Sequence, residues 1–183
     1  MLVTQGRLDD ALKAYRDGLA VVERLAASDP GNAQWQSDLS ISYSRIGDVL
    51  VTQGRTADAL KAYRDGLTIA QRLAAVDRDN TRWQRDLASA YDAVGNMLAA
   101  QGNLDDALKA YRDGLAIREP LAAVDRSNTQ WQRELSVSYD HIGDVLVAQD
   151  ELDDALKSYR DALAIRERLV ATDRSNRQWQ RDH

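Results

Sequence analysis

Residues 55–67 read Arg-Thr-Ala-Asp-Ala-Leu-Lys-Ala-Tyr-Arg-Asp-Gly-Leu, and residues 103–115 read Asn-Leu-Asp-Asp-Ala-Leu-Lys-Ala-Tyr-Arg-Asp-Gly-Leu. The last ten residues of the two stretches are identical. They recur at 10–19 and, with small changes, at 154–163. The copies lie 48 positions apart, and the tryptophans keep the same step at Trp35, Trp83, Trp131 and Trp179. A fixed period of this size is the mark of a repeat architecture, in which one supersecondary unit cannot bury its apolar face alone and stacks on copies of itself. Such chains bind other molecules far more often than they transform them.

Around the quoted stretches, each repeat divides into two helices. Asn80 is placed to cap the first, whose apolar residues Trp83, Leu87, Tyr91, Val94 and Leu98 are spaced four, four, three and four apart, one stripe of an α-helix. Gly102 stops that helix at the position past its end, and Asn103, Asp105 and Asp106 open the next. Leu104, Ala107, Leu108, Tyr111, Leu115 and Leu121 form the buried face of this second helix, and Asp125-Arg126-Ser127-Asn128 closes the repeat. The pattern predicts seven helices at 7–28, 32–53, 55–77, 80–101, 103–125, 128–149 and 151–173. Helical fragments are expected at 1–5 and 176–183. The domain reading is one array over 1–183: a partial repeat at 1–28, repeats at 32–77, 80–125 and 128–173, and the start of a further helix at 176–183.

Small residues recur in phase. Gly47, Gly95 and Gly143 fall midway in the first helices, Ala59, Ala107 and Ala155 early in the second, and Gly18, Gly66, Gly114 and Ala162 two turns later. A helical glycine costs about 1 kcal/mol relative to alanine, so its repetition marks seams of close helix approach. Pro120 stands where other copies have Arg24, Arg72 and Arg168. It removes a helical bond to Ala116, which predicts a kink or an early end to that helix.

Composition narrows the function classes. The chain has 183 residues, is 44% hydrophobic and 29% charged, and carries a net charge of −5, which disfavours binding to nucleic-acid backbone. There is no cysteine, so disulfides and thiolate metal sites are excluded, and no apolar run approaches the ~20 residues of a membrane span. A soluble, cytoplasmic protein is expected. The histidines are His141 and His183, and no nucleophile–base pair, phosphate-cradling glycine loop or metal-ligand spacing is present. The inventory predicts neither catalysis nor a cofactor.

Tyr91, Val94-Gly95, Leu98, Gly102, Leu104, Ala107, Tyr111, Gly114 and Leu115 match, at the same spacings, the pattern of the tetratricopeptide repeat. The match recurs from Tyr43 to Tyr63 and from Tyr139 to Tyr159. The chain resembles that family, in an elongated form: its period is 48 where the family's usual unit has 34, so each helix gains about two turns. This form is similar to the arrays of kinesin light chains and to many long bacterial arrays. The resemblance implies an all-α, right-handed superhelical solenoid of antiparallel helix–turn–helix repeats.

It also implies a binding face, the inner side built from the first helices. The positions carried over are Ser44, Asp48 and Thr52, then Asp92, Asn96 and Ala100, then Asp140, Asp144 and Ala148, with Ser37, Arg85 and Arg133 continuing the stripe toward the tryptophans. This face would be acidic at mid-height and would hold a protein or peptide, a basic one by charge. Tetratricopeptide domains that grip a terminal carboxylate use lysine and asparagine where this chain has Asp92 and Asn96, so only the asparagine matches. The tryptophans lie on the core stripe: Trp83 is expected to pack on Leu73, Val76, Leu121 and Val124. The structural alternative is head-to-tail homo-oligomerisation through the exposed terminal helices. Relatives further suggest a sensor array within a larger bacterial signalling protein.

Overall fold

The computed structural model describes residues 2–172, with side chains for 6–171. Among the described residues there are seven helices and no strand: α1 (Leu2–Ser28), α2 (Ala33–Thr52), α3 (Thr56–Val76), α4 (Thr81–Ala100), α5 (Leu104–Val124), α6 (Thr129–Ala148) and α7 (Leu152–Thr172). The expected further helix at 176–183, with Trp179, lies outside the described residues. The chain divides into two compact units, Met1–Gln101 and Gly102–His183.

In the first unit α1 packs on α2, α2 on α3, and α3 on α4. Three residues join α2 to α3, and four join α3 to α4. Connections this short make neighbouring helices antiparallel, and the contacts agree. Gly47 meets Tyr63, while Ser40, one turn and more toward the start of α2, meets Gly66 further along α3. In the second unit α6 packs against both α5 and α7. Its core gathers Ala122, Leu135, Ile165 and Leu169, with Trp131, Tyr139, Leu115 and Val170 packed around it. The fold is an all-α helical repeat of the solenoid class.

The ends of the helices follow from the repeat. Asn32, Asn80 and Asn128 cap α2, α4 and α6, each side chain accepting the backbone N–H of the tryptophan three residues on. Gly54 and Gly102 take φ of 73° and 76° just past the ends of α2 and α4, the left-handed conformation that glycine adopts without a steric cost. In the last copy Asp150 occupies that place at φ 63°. Asn103 sits at the start of α5, but its side chain makes no capping bond. The last turns of α3 and α5 leave carbonyls without helical partners. Gln84 Nε2 donates to Ala74 O at 3.1 Å, and Gln132 Nε2 to Ala122 O at 2.7 Å.

Four expectations need correction. The break expected between the fragment at 1–5 and the helix at 7–28 is absent: α1 runs unbroken from Leu2. Four residues are too few to sustain a helix of their own, and continuing an existing helix adds bonds at little cost. α5 does not end early at Pro120, but continues to Val124 and matches α3 and α7 at 21 residues. Pro120 and Ala116 are both exposed, so water can solvate the carbonyl that loses its partner. Val76 and Val124 are 80% and 85% exposed, so neither is covered by an indole ring. Trp83 instead borders a small cavity with Leu73, Ala70 and Ile41, and Trp131 packs on the core of its unit. Both rings are half-buried. Finally, Gly18 is no seam, since nothing lies within 4 Å of a Cβ built there.

Three of the predicted seams are tight. A Cβ on Gly47 would lie 2.5 Å from the ring of Tyr63, and one on Gly143 would lie 2.6 Å from that of Tyr159. At Gly66 it would meet Ser40 O at 3.1 Å and Tyr43 Cβ at 3.3 Å.

Candidate functional site

The predicted stripe begins from these seams. Because the Tyr63 ring packs against Gly47, its hydroxyl reaches the next residue of α2 and donates to Asp48 Oδ1 at 2.7 Å. The second unit repeats the arrangement, with Tyr159 over Gly143 and its hydroxyl on Asp144 Oδ1 at 2.7 Å. Both aspartates are exposed. Burial, followed by the hydrogen bond to Asp48, raises the Tyr63 phenol well above its ordinary value. The Tyr159 phenol is pushed up to about 12, by burial first and then by Asp144. Each tyrosine therefore stays a donor, and each carboxylate is held at a fixed angle with one oxygen turned to the ring.

The remaining stripe residues are placed as follows. Thr52 is exposed, and its hydroxyl donates to Asp48 O at 2.9 Å; Ser44 is half-buried and donates to Ser40 O at 3.2 Å. Asp140, half-buried on α6, is paired with Arg166 of α7, whose Nη1 lies 3.2 Å from Oδ1 while Nη2 contacts Oδ2. Asn96 is exposed, whereas Asp92, Arg85 and Arg133 are half-buried; all four interact with neighbouring groups. Ala100 and Ala148 are exposed. Ser37 is 4% exposed and so does not belong to an open face. It lines the small cavity with Trp83.

The first unit thus brings Ser44, Asp48 and Thr52 together on α2, and the second brings Asp140 and Asp144 together on α6. Two cavities of the second unit lie elsewhere. One of about 620 Å³ is floored by Ala122, Leu135, Ile165 and Leu169 and edged by Arg126 and Arg168; the other, about 340 Å³, is bordered by Arg112, Asp154, Lys157 and Asp161. Among the described residues no group of three or more histidine, cysteine, aspartate or glutamate side chains is arranged to hold a metal ion. No helix among them is long and apolar enough to cross a membrane.

Several participants were missed from the sequence. Arg166 is separated from Asp140 by 26 positions and sits on the next helix, the same separation as the contact between Ser40 and Gly66, and no local spacing in the sequence joins such pairs. Arg118, one repeat before Arg166, is buried and donates to Ser138 Oγ at 2.8 Å. The first-helix tyrosines tie back to the preceding second helix at a constant separation of 20. Tyr43 donates to Glu23 at 3.0 Å and Tyr139 to Glu119 at 2.8 Å, while Tyr91 accepts from Gln71 at 3.0 Å. Charged pairs one turn apart also form on the solvated helix faces: Lys13–Asp17 at 2.8 Å and Lys109–Asp113 at 2.9 Å.

Two sequence models described as the tetratricopeptide repeat match the chain, one over residues 38–120 and the other over 135–174. A comparison with curated proteins finds no match. Among solved structures, BtubC (BKLC) from P. vanneervenii is similar at 20% identity and a TM-score of 0.64, over 88% of this chain and 58% of that one. This chain therefore spans little more than half the length of BtubC, and the likeness is one of fold. A structure of MamA aligns over 92% of this chain and 94% of its own, at 18% identity and a TM-score of 0.48. The repeat matched is in general a protein-interaction module. With its period, its seams and its paired helices in place, the chain belongs to the tetratricopeptide repeat family.

Proposed function

We propose that this protein is a scaffold in which each unit offers an acidic face, on α2 and α4 in the first and on α6 in the second, to a basic or amine-bearing peptide. The observation that carries the reading is the pair of exposed carboxylates Asp48 and Asp144, each held by a tyrosine hydroxyl at 2.7 Å. A carboxylate fixed in advance loses less freedom when a ligand arrives. Its second oxygen can accept a charge-assisted bond from an ammonium or guanidinium. The small exposed residues Thr52, Ala100 and Ala148 leave room beside it. Asn96 and Asp92 extend the first unit's face on α4, with Arg85 toward its basic end, and Arg133 marks the basic end of the second unit's face. Asp140 contributes less, because Arg166 already neutralises it.

The test is fluorescence anisotropy with a labelled peptide rich in lysine and arginine and a glutamate-rich peptide of equal length. The basic peptide is expected to bind and the acidic one not to. Asp48→Lys with Asp144→Lys should weaken binding by roughly tenfold or more, about 1.4 kcal/mol. An affinity unchanged in that double variant sinks the proposal. The alternative role, head-to-tail assembly, requires self-association. Light scattering across a concentration series tests it, and a strict monomer removes it.

A further inference from the structure

The larger cavity of the second unit, about 620 Å³, is walled by α5 with its following turn, by α6 and by α7. Its floor is Ala122, Leu135, Ile165 and Leu169, the buried core of that unit. Two exposed arginines stand at its edge, Arg126 in the turn after α5 and Arg168 on α7. Glu119 is the one acid that borders it, and one of its oxygens already accepts the Tyr139 hydroxyl at 2.8 Å. An apolar hollow rimmed by net positive charge is unlike the rest of a chain whose balance is −5.

The hollow is a product of the repeat. Where α5 runs out, Ala122 and Ala123 provide no bulk, and Gln132 is drawn back to cap Ala122 O at 2.7 Å, which leaves space above Leu135. The first unit does the same on α3 and α4. A cavity of about 300 Å³ there is lined by Gln71, Ala74, Ala75, Arg78, Gln84 and Leu87. Each of these stands 48 positions before a residue that lines the larger cavity. Gln84 likewise caps Ala74 O. The two copies differ at the edge, where Gln71 replaces Glu119, while the arginine is kept as Arg78.

We propose that the cavity of the second unit binds a small amphipathic anion, a single-chain carboxylate whose aliphatic tail lies on the floor and whose head meets Arg126 and Arg168. A concave site of roughly 300–1,000 Å³, mostly apolar with a few convergent polar groups, is the form that small-molecule sites take. The tail gains by leaving water for Leu135, Ile165 and Leu169. Guanidinium matches a carboxylate through paired N–H donors. Arg168 already interacts within the chain, and a group with five N–H donors can serve a ligand as well. A cationic head would meet the two arginines and be repelled. The site shares no residue with the acidic face proposed above and does not rest on it.

The probes are octanoate and octanol, which share a tail and differ in charge. Each is titrated into the full chain and followed through the methyl resonances of Leu135, Ile165 and Leu169. Octanoate is expected to shift these methyls saturably and to bind roughly tenfold or more tightly than octanol. Arg126→Glu with Arg168→Glu should remove that advantage and leave octanol unchanged. Ala123→Trp should weaken both ligands by filling the hollow. Positions 123, 126 and 168 are all exposed, so circular dichroism and urea unfolding should show these variants folded. An absence of saturable shifts at the three methyls overturns the proposal. Octanol binding as tightly as octanoate also overturns it, a comparison that needs no variant. So does octanoate affinity that survives the charge reversal.

Discussion

A single glycine has opposite meanings at two places in this chain. At Gly47 the ring of Tyr63 would lie 2.5 Å from an added methyl, whereas at Gly18 the space is empty. Gly47→Ala is expected to destabilise the protein by about 1–3 kcal/mol through overpacking. Gly18→Ala should stabilise it by up to about 1 kcal/mol through helix propensity. Urea denaturation of the two variants checks the sign of each. The tyrosines give a second prediction at this scale. The phenols of Tyr43 and Tyr159 are pushed up to about 12 from an ordinary 10.0, by burial first and then by Glu23 and Asp144 respectively. Between those values the unfolded chain has lost these protons while the folded chain keeps them. Their contribution is thus complete below about pH 10 and lost as pH rises toward about 12. Stability should fall across this window, and Tyr43→Phe with Tyr159→Phe should flatten the fall. Ultraviolet titration of the phenolates, folded and in urea, measures the shift directly.

At the level of the helix, most of the architecture could be read in advance because it depends on neighbours close in sequence. Asn80 ahead of Trp83, Gly102 after the last apolar turn and the 3.6-residue stripe are local signals, and each appears in place. The errors arose where local rules met tertiary context. Proline at position 120 predicts a kink or an early end to α5, and the early end does not occur: the helix keeps its 21 residues, because packing on α6 holds the backbone helical on both sides of the lost bond. The cost should still be present. Pro120→Arg, which restores the residue of the other copies, is expected to stabilise the second unit by about 1–3 kcal/mol, read as an increase in its unfolding midpoint. The valines ending α3 and α5 lie on the apolar register but beyond the reach of any partner. The stripe alone does not reveal where a neighbouring helix stops.

For the molecule as a whole, family membership and helical architecture were open to a reader of the sequence, while the state of the candidate face was only half so. Periodicity places Asp48, Asp140 and Asp144 on one kind of stripe. It does not say that Tyr63 and Tyr159 grip two of them and Arg166 the third, since those partners are 15 and 26 positions away on another helix. With a net charge of −5 and exposed carboxylates on the proposed face, association with a basic peptide should weaken as salt is added, because screening shortens the reach of surface charge. Anisotropy titrations at low and high ionic strength check this, and a salt-independent affinity would point to an apolar site instead.

The bare valines have one more implication. Positions 28, 76, 124 and 172 are equivalent, and they hold Ser28, Val76, Val124 and Thr172, while the buried alanines at 59, 107 and 155 never vary among the copies. Four versions of one sentence, written side by side in a single polypeptide, amount to a natural substitution experiment with its own internal controls. Letters that drift between versions mark where an engineer could attach a dye or a tether, and letters that do not drift mark where the hardware would break.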